Sequence, residues 1–289
     1  MTRAPWPLSL ARRPGPNGLP PIVLAAVVVA VAIPSMVASL ATIGSLLSTG
    51  IAFDWENFGA AAARLPHGTL YQFEGFYAFR WSPLAAGLLG LILPMGLTAW
   101  RLLHLAVLPL LRDWRLVVAC LLAYPFWFDL ETGNINTFVA VTAVLALRGS
   151  RLATALYLLL LLLVPRPLAL PLAAWILWRR PEWRLPFLGL AALNAALVAA
   201  TGLGGAWLSV LLSAASEIGG NLNLGPSAVI GTAWIPIGLV LAAFLTWRGR
   251  IGLASVAASP YWLPYYFLML LLEFVIPPEA ARDGARDPS

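Results

Sequence analysis

The fold class is decided by residues 152–178, which read LATALYLLLLLLVPRPLALPLAAWILW. Arg166 is the single charged residue of this stretch, and Pro165 and Pro167 flank it. A bilayer is crossed by about 20 apolar residues, and a proline break at membrane depth is tolerated where the chain is surrounded by other helices. The stretch therefore predicts membrane-embedded helices that are broken beside a positive charge.

The composition of the whole chain agrees with this interpretation. Its 289 residues are 61% hydrophobic and 10% charged, whereas soluble proteins contain about 25% charged residues. This composition excludes a soluble enzyme, a nucleic-acid-binding module and a disordered regulator. The formal charge is +6, and all 18 basic residues are arginines. Because these arginines are scattered singly and in pairs, we expect membrane lipids as partners and no nucleic acid.

Apolar stretches recur along the chain, and several are too short to cross a bilayer alone. They lie at 21–48, 82–98, 102–111, 116–130, 137–147, 152–178, 185–202, 206–216, 228–246 and 251–277. We predict an all-α polytopic membrane protein with roughly eight to eleven membrane segments. Its parts are an N-terminal segment 1–20, a single membrane domain 21–277 and a polar tail 278–289.

The arginines are distributed unevenly between the loops. Six segments hold 15 of the 18 arginines, and an excess of arginine favours the cytoplasmic side. These segments are the N-terminus, 99–115, 148–151, 179–184, 247–250 and the C-terminal tail. The opposite side keeps Arg64, Arg80 and Arg166 together with six of the twelve acidic residues. We therefore expect a cytoplasmic N-terminus and a functional site on the external face.

The longest polar interruption is the predicted external loop 49–81. Four of its apolar residues recur at helical spacing, namely Trp55, Phe58, Ala62 and Leu65. This spacing predicts an amphipathic helix on the membrane interface, with Asp54 near its N-terminus. One interpretation makes Asp54 an N-cap. The other makes Asp54 a general base at the water–lipid boundary, facing an acceptor hydroxyl.

Two further residues of this loop are candidates for the site. His67 is either an alternative base or a surface residue. Glu56 complements the helix dipole, and on a helix it points about 200° away from Asp54. The chain has two histidines, which are far apart in the sequence, and this argues against a histidine-based metal centre. No cofactor is predicted, and the need for a divalent metal stays open.

The loop also contains motifs of a known family. Asp54 is followed by Gly68-Thr-Leu-Tyr71 and then by Phe79-Arg-Trp-Ser-Pro83. This order resembles the opening of the GT-C membrane glycosyltransferases of family 87, which are relatives of polyprenyl-phosphate-mannose-dependent α-mannosyltransferases. The resemblance implies a GT-C-like helical bundle in which Asp54 matches the catalytic aspartate.

Two later segments are similar to motifs of the same family. Glu131-Thr-Gly-Asn-Ile-Asn136 resembles the family's Gly-Gln-x-Asn motif, with Asn134 in place of glutamine. The alternative is a helix C-cap glycine followed by asparagines that satisfy backbone groups. Val164-Pro-Arg-Pro167 is similar to the family's Lys-x-x-Pro region. A membrane arginine normally has an anionic partner, here either a donor phosphate or one of Asp129, Glu131 and Glu217. The remaining alternative is that Arg166 snorkels to the interface.

Two more segments extend the resemblance towards the C-terminus. The loop Glu217–Ser227 is similar to an Asn-x-Ser/Gly loop, and its asparagines either contact a sugar or cap the next span. Ser259–Tyr266 resembles a Ser-Pro-x-Ser-Trp-x-His segment, but it lacks the histidine and has Tyr265 and Tyr266 in that region. These aromatic residues form an interfacial belt or pack against a sugar ring.

The resemblance implies an enzyme that moves a mannose-like sugar from a polyprenyl-phosphate donor to a hydroxyl of a lipid or glycan acceptor. The reaction is an inverting displacement at the external face of a bacterial plasma membrane. Asp54 is the predicted base, and Arg166 and Arg80 are the predicted phosphate ligands. The predicted substrate-binding residues are Glu56, His67, Tyr71, Glu131, Asn134, Asn136, Asn221, Asn223, Trp262, Tyr265 and Tyr266. The alternatives are a transporter or lipid flippase, and a non-catalytic scaffold for envelope glycolipid assembly.

Overall fold

A computed structural model of the chain describes residues 34–44, 52–72, 79–213 and 223–275. Within these residues the regular structure is entirely helical, as predicted. The α-helices are α1 (Pro34–Gly44), α2 (Phe53–Arg64), α3 (Pro83–Ile92), α4 (Gly96–Val107), α5 (Trp114–Leu122), α6 (Tyr124–Thr132), α7 (Asn136–Leu147), α8 (Arg151–Leu163), α9 (Leu170–Arg179), α10 (Arg184–Ala200), α11 (Gly204–Ser213), α12 (Ser227–Ile230), α13 (Trp234–Trp247) and α14 (Ile251–Ala258). The 3₁₀ segments are Leu65–His67, Leu93–Met95, Leu108–Leu111, Pro167–Ala169, Pro181–Trp183, Gly231–Ala233 and Pro264–Phe274.

Within the described residues, three helical stretches are long and apolar enough to cross a membrane. They are Pro83–Leu111, Pro181–Ala200 and Ser227–Trp247. The first one joins the apolar stretches 82–98 and 102–111, which we predicted as separate segments. The other apolar helices have 10–17 residues, fewer than the about 20 that a bilayer requires. In the described part of the chain, the predicted eight to eleven membrane segments are therefore not all full-length helices.

Proline breaks two of the long apolar stretches, and the first break lies where the sequence predicts it. Helix α8 ends at Leu163, and α9 begins only at Leu170 after a 3₁₀ turn. Proline lacks a backbone N–H and clashes with the preceding helical turn. The second break lies between α14 and the 3₁₀ segment Pro264–Phe274. The first of these breaks leaves Arg166 on an extended piece of chain with φ −111° and ψ 128°.

Helix α2 is present where the spacing predicts it, but it is docked on the protein rather than lying apart on the interface. Phe58 and Ala61 are buried, and α2 packs against α3 and α6. Gly90 of α3 lies at this contact, where a Cβ would be 3.6 Å from the Cβ of Ala62, an ordinary van der Waals distance. The N-cap interpretation of Asp54 is wrong, because Ala52 is the N-cap and Asp54 lies in the first turn.

Helix α7 lies at the centre of the core and has polar contacts at both ends. Most of its residues are buried, and it packs against α8, α4 and the 3₁₀ segment Pro264–Phe274. Arg180 closes its C-terminal end by donating to the carbonyl oxygens of Ala146 at 2.7 Å and Leu147 at 3.0 Å. The two ends of this 12-residue helix are about 18 Å apart.

Contacts at the two ends of α7 show how α4 lies beside it. They also correct one prediction about the side on which 99–115 lies. Nε2 of His104 lies 2.8 Å from the carbonyl oxygen of Asn134, before α7 begins, whereas Arg148, after α7 ends, donates to the carbonyl of Leu111. The prediction that all of 99–115 lies on the same side as Arg148 is therefore wrong for Arg101 and His104. Arg101 instead donates to the carbonyl of Glu131 at 3.0 Å.

Candidate active site

The site is built on the turn between α6 and α7. Gly133 ends α6 with φ +71°, a left-handed conformation that favours glycine. A Cβ on Gly133 would also lie 2.9 Å from the Cβ of Trp55. Glycine at this position thus allows the chain to reverse and allows α2 to approach the turn. The C-cap interpretation of Gly133 is confirmed.

Asp129 holds the two sides of this turn together. Its Oδ1 accepts from the backbone N of Asn136 at 3.2 Å and from Nδ2 of Asn136 at 3.1 Å. Its Oδ2 accepts from the backbone N and from Oγ1 of Thr137, both at 2.7 Å. The carboxylate therefore caps the N-terminus of α7, where N–H groups lack helical partners and the dipole favours negative charge. Asp129 is completely buried.

Residues of α4 support the turn from behind. Nε1 of Trp100 donates to the carbonyl of Gly133 at 2.9 Å. The buried His104 places Nε2 2.8 Å from the carbonyl of Asn134 and 3.6 Å from Oδ2 of Asp129. These contacts orient the side chains of Asn134 and Asn136 because they fix the backbone that carries them.

Arg166 connects this turn to α2 through two asparagine amides. Its Nη2 donates to Oδ1 of Asn134 at 3.1 Å, and its Nη1 donates to Oδ1 of Asn136. Nδ2 of Asn134 in turn donates to Oδ2 of Asp54 at 2.7 Å. Asn136 donates in the same way to Asp129. One guanidinium is thus linked to two carboxylates, each through one amide.

Aromatic rings border the guanidinium of Arg166. Its Cζ lies 5.2 Å from the ring centroid of Trp81 and 5.7 Å from that of Tyr266, within the range of cation–π contacts. The hydroxyl of Tyr71 donates to the carbonyl of Trp81 at 2.7 Å, and burial raises the pKa of this hydroxyl above its ordinary value. Tyr71 therefore stays a neutral donor that fixes the ring beneath Arg166. The ring of Tyr265 lies 5.2 Å from that of Tyr266.

Asp54 has the electrostatic environment of a base. Burial raises the pKa of its carboxyl above the ordinary value of 3.8. The hydrogen bond from Asn134, the charge of Arg166 and a hydrogen bond from Thr132 lower this pKa but do not cancel the effect of burial. The negative charge of Asp129 raises it further. A raised pKa makes the carboxylate a stronger base than an exposed aspartate.

The structure brings six of the predicted site residues together, namely Asp54, Arg166, Asn134, Asn136, Tyr265 and Tyr266. Arg80 is near them, since its positive charge acts on Tyr266. Tyr71 contributes indirectly through Trp81. Glu131 is half-buried, and its backbone carbonyl accepts a hydrogen bond from Arg101.

The remaining predicted residues that the structure describes have different surroundings. Glu56 and His67 are exposed, and His67 lies in the 3₁₀ turn after α2, about 20 Å from Asp54 by helical rise. Asn223 and Trp262 form a separate structural contact, in which Oδ1 of Asn223 accepts from the backbone N of Trp262 at 2.9 Å. Asn221, like Glu217, falls outside the described residues.

Three residues of the site were missed in the sequence, namely Asp129, Thr132 and Trp81. The sequence contains a signal for the role of Asp129, namely Gly133. A helix that ends at this glycine reverses the chain, so that residues before the turn can contact residues after it. We considered Asp129 only as an ion-pair partner of Arg166. Trp81 lies in the quoted Phe79–Pro83 motif, which contributes to the family resemblance but predicts no role for this ring.

We expect Asp129→Asn to lower the free energy of unfolding by about 1–3 kcal/mol, because an amide NH₂ group then faces buried donors of Thr137 or Asn136. The measurement is thermal unfolding of the detergent-solubilised chain. The matched control is Asp113→Asn, since Asp113 caps α5 through a 3.0 Å bond to the backbone N of Arg115 but is only partly buried. Equal losses in the two variants would contradict the special role of Asp129.

No group of three or more histidine, cysteine, aspartate or glutamate side chains is arranged to hold a metal ion in the described part of the chain. The polar groups of the site are instead one guanidinium, two amides and two carboxylates. A guanidinium binds phosphate oxygens in pairs, and amides bind sugar hydroxyls without adding charge. The arrangement is therefore suited to a substrate that combines a phosphate with a sugar.

No protein-family model matches the chain, and the comparisons with curated proteins and with solved structures also give no match. The resemblance to the GT-C glycosyltransferases therefore stays a prediction from short motifs.

Proposed function

We propose that the protein is a membrane glycosyltransferase that uses a polyprenyl-phosphate sugar as donor. The observation that carries this proposal is the link between Asp54 and Arg166, whose side chains both bind the amide of Asn134. They are 112 positions apart in the sequence, with Asp54 in the first turn of α2 and Arg166 on the extended chain after α8. A base and a phosphate-binding cation are thus held a single side chain apart.

The reaction requires two groups with opposite charges. The acceptor oxygen attacks C1 of the sugar while Asp54 takes the proton of the acceptor hydroxyl. The bond between C1 and the phosphate oxygen breaks, and its electron pair stays on the phosphate. Arg166 stabilises the charge that develops there. Because attack and departure occur on opposite faces of C1, the configuration at that carbon inverts.

The surroundings of Arg166 support binding of the donor. The guanidinium lies between the rings of Trp81 and Tyr266, and rings of this kind can pack against a sugar or an isoprenoid unit. Among the described residues, its two bonded acceptors are neutral amides, and the carboxylates of Asp54 and Asp129 are linked to it through Asn134 and Asn136. An incoming phosphate therefore competes with neutral acceptors rather than with a direct ion pair.

The decisive experiment is reconstitution of the purified chain in liposomes with radiolabelled polyprenyl-phosphate sugars. We expect label to appear in a lipid or glycan acceptor. Uptake of label into the vesicles without transfer would instead indicate a transporter or flippase. Neither transfer nor uptake, with an intact fold, would favour a scaffold and contradict the enzyme.

The raised pKa of Asp54 predicts the pH dependence of the reaction. A general base acts in its ionised form, so kcat/KM falls as pH drops through the pKa of Asp54. Because burial raises this pKa, the fall begins at a higher pH than for an aspartate with a pKa of about 3.9. The measurement is the pH profile of kcat/KM.

A variant of Thr132 tests this assignment. The hydrogen bond from Thr132 lowers the pKa of Asp54, so Thr132→Val is expected to move the acidic limb of the profile to higher pH. The rate on the alkaline plateau should change much less. A limb that stays in place would show that a different group controls the profile.

A further inference from the structure

An apolar groove runs between α9 and α13, and neither Asp54 nor Arg166 lines it. Its volume is about 340 Å³, within the range of about 300–1,000 Å³ for small-molecule sites. Its lining is alanine, leucine, proline and tryptophan with a single hydroxyl, that of Thr246. This hydroxyl already donates to the carbonyl of Ala242 at 2.7 Å. The groove therefore suits a hydrocarbon chain rather than a polar ligand.

Two tryptophans line the groove near the C-terminal ends of its helices. Trp178 is the penultimate residue of α9, and Trp247 is the last residue of α13. Leu170, the first residue of α9, lines the groove together with Ala258 at the end of α14. Helix α14 follows α13 after a tight turn and packs along it in the opposite direction. Ala258, the last residue of α14, and Trp247, the last residue of α13, therefore lie at opposite ends of the groove. The two tryptophans therefore share one end of the groove.

Each tryptophan carries an arginine over its ring. The Cζ atom of Arg179 lies 5.7 Å from the ring centroid of Trp178, and that of Arg248 lies 6.0 Å from the ring centroid of Trp247. Both arginines are exposed. The neighbouring positions 178–184 and 247–250 contain five arginines and one glutamate, Glu182, and Arg250 is paired with Glu273 at 3.2 Å. The apolar groove thus ends in a net positive charge.

We propose that this groove binds one acyl chain of an anionic phospholipid, with the phosphate between Arg179 and Arg248. The charge at the mouth selects an anionic headgroup, and tryptophan rings are typical of headgroup level in membrane proteins. The arginine distribution predicts that 179–184 and 247–250 face the cytoplasm, where anionic lipids attract basic residues. The site is independent of the proposed sugar transfer.

Native mass spectrometry of the full-length chain in detergent tests this site, with phosphatidylglycerol and phosphatidylcholine added in parallel. We expect one phosphatidylglycerol to be retained preferentially. Arg179→Gln with Arg248→Gln should weaken phosphatidylglycerol binding by about fivefold per arginine and remove the preference. Ala174→Phe should abolish retention of the lipid with both arginines intact, because Ala174 is an exposed groove residue that a ring would fill.

Controls separate this site from general attraction to the surface. Arg115→Gln with Arg151→Gln removes the same charge, and Arg115 also stacks on an exposed tryptophan, Trp114, at 5.8 Å. This pair should keep the preference for phosphatidylglycerol. Ala243→Phe gives a second groove-filling variant should Ala174→Phe fail to fold.

Three outcomes would overturn the proposal. The first is equal retention of the two lipids by the unmodified chain, and the second is equal loss in the two arginine pairs. The third is a dimeric chain that becomes monomeric when the groove is filled, since a second copy would then be the occupant.

Discussion

Replacing Asp54 with asparagine is expected to lower the rate of sugar transfer by about 10²–10⁴-fold, the usual contribution of a general base. The variant keeps the shape of the side chain and can still accept a hydrogen bond from Asn134 through its amide oxygen. What it loses is the ability to take the proton of the acceptor hydroxyl. The measurement is kcat for transfer in liposomes, together with the thermal midpoint of the variant.

The matched control is Glu56→Gln, which removes the same charge from the same turn of α2. Glu56 is exposed, whereas Asp54 binds Asn134 at 2.7 Å. We expect Glu56→Gln to retain transfer close to that of the unmodified chain. Near-normal transfer by Asp54→Asn would remove the proposed base, and an equal loss in both variants would indicate a general effect of charge.

The local elements of the site could be predicted from the sequence because their causes are local. The spacing of apolar residues predicts α2, and Gly133 predicts the end of α6. The prolines beside Arg166 predict the break between α8 and α9. In each case a few neighbouring residues fix the backbone through steric exclusion or a missing N–H, so no knowledge of distant parts of the chain is needed.

The partners of these elements could not be predicted, because they depend on tertiary packing. Asn134 and Arg166 are separated by 32 positions, and no local pattern indicates that they meet. The same holds for His104, which arginine counting placed on the side opposite to Asn134. Short helices such as α5 and α6 also make the number of membrane crossings hard to predict. Hydropathy alone does not show which helices are shorter than the thickness of the bilayer.

The arginine of the site is expected to matter nearly as much as the base. We expect Arg166→Gln to lower kcat/KM for the polyprenyl-phosphate donor by about 10²–10³-fold, as removal of a group that stabilises a developing charge does in other enzymes. The KM for the acceptor should change little. Glutamine can still donate to Oδ1 of one asparagine, which limits the structural cost. Unchanged use of the donor would make Arg166 a structural residue.

Arg180 is the matched control for this prediction. Like Arg166, it stacks on a tryptophan, with its Cζ 5.3 Å from the ring of Trp175. It also donates to two neutral oxygens, those of Ala146 and Leu147. It lies at the opposite end of α7, so Arg180→Gln should lower the thermal midpoint while KM for the donor stays unchanged.

Arg166→Lys completes the comparison because it separates charge from geometry. Lysine keeps the positive charge but lacks the planar fork that binds two oxygens at once. If Arg166 acts on the departing phosphate, the lysine variant should fall between the unmodified chain and Arg166→Gln in kcat/KM for the donor. If Arg166 only holds Asn134 and Asn136 in place, activity should instead follow the thermal midpoint of each variant, because the three N–H donors of lysine can still bond both amides. A rank order of arginine, lysine and glutamine in kcat/KM at unchanged thermal midpoints would therefore assign the charge of Arg166 to the reaction itself.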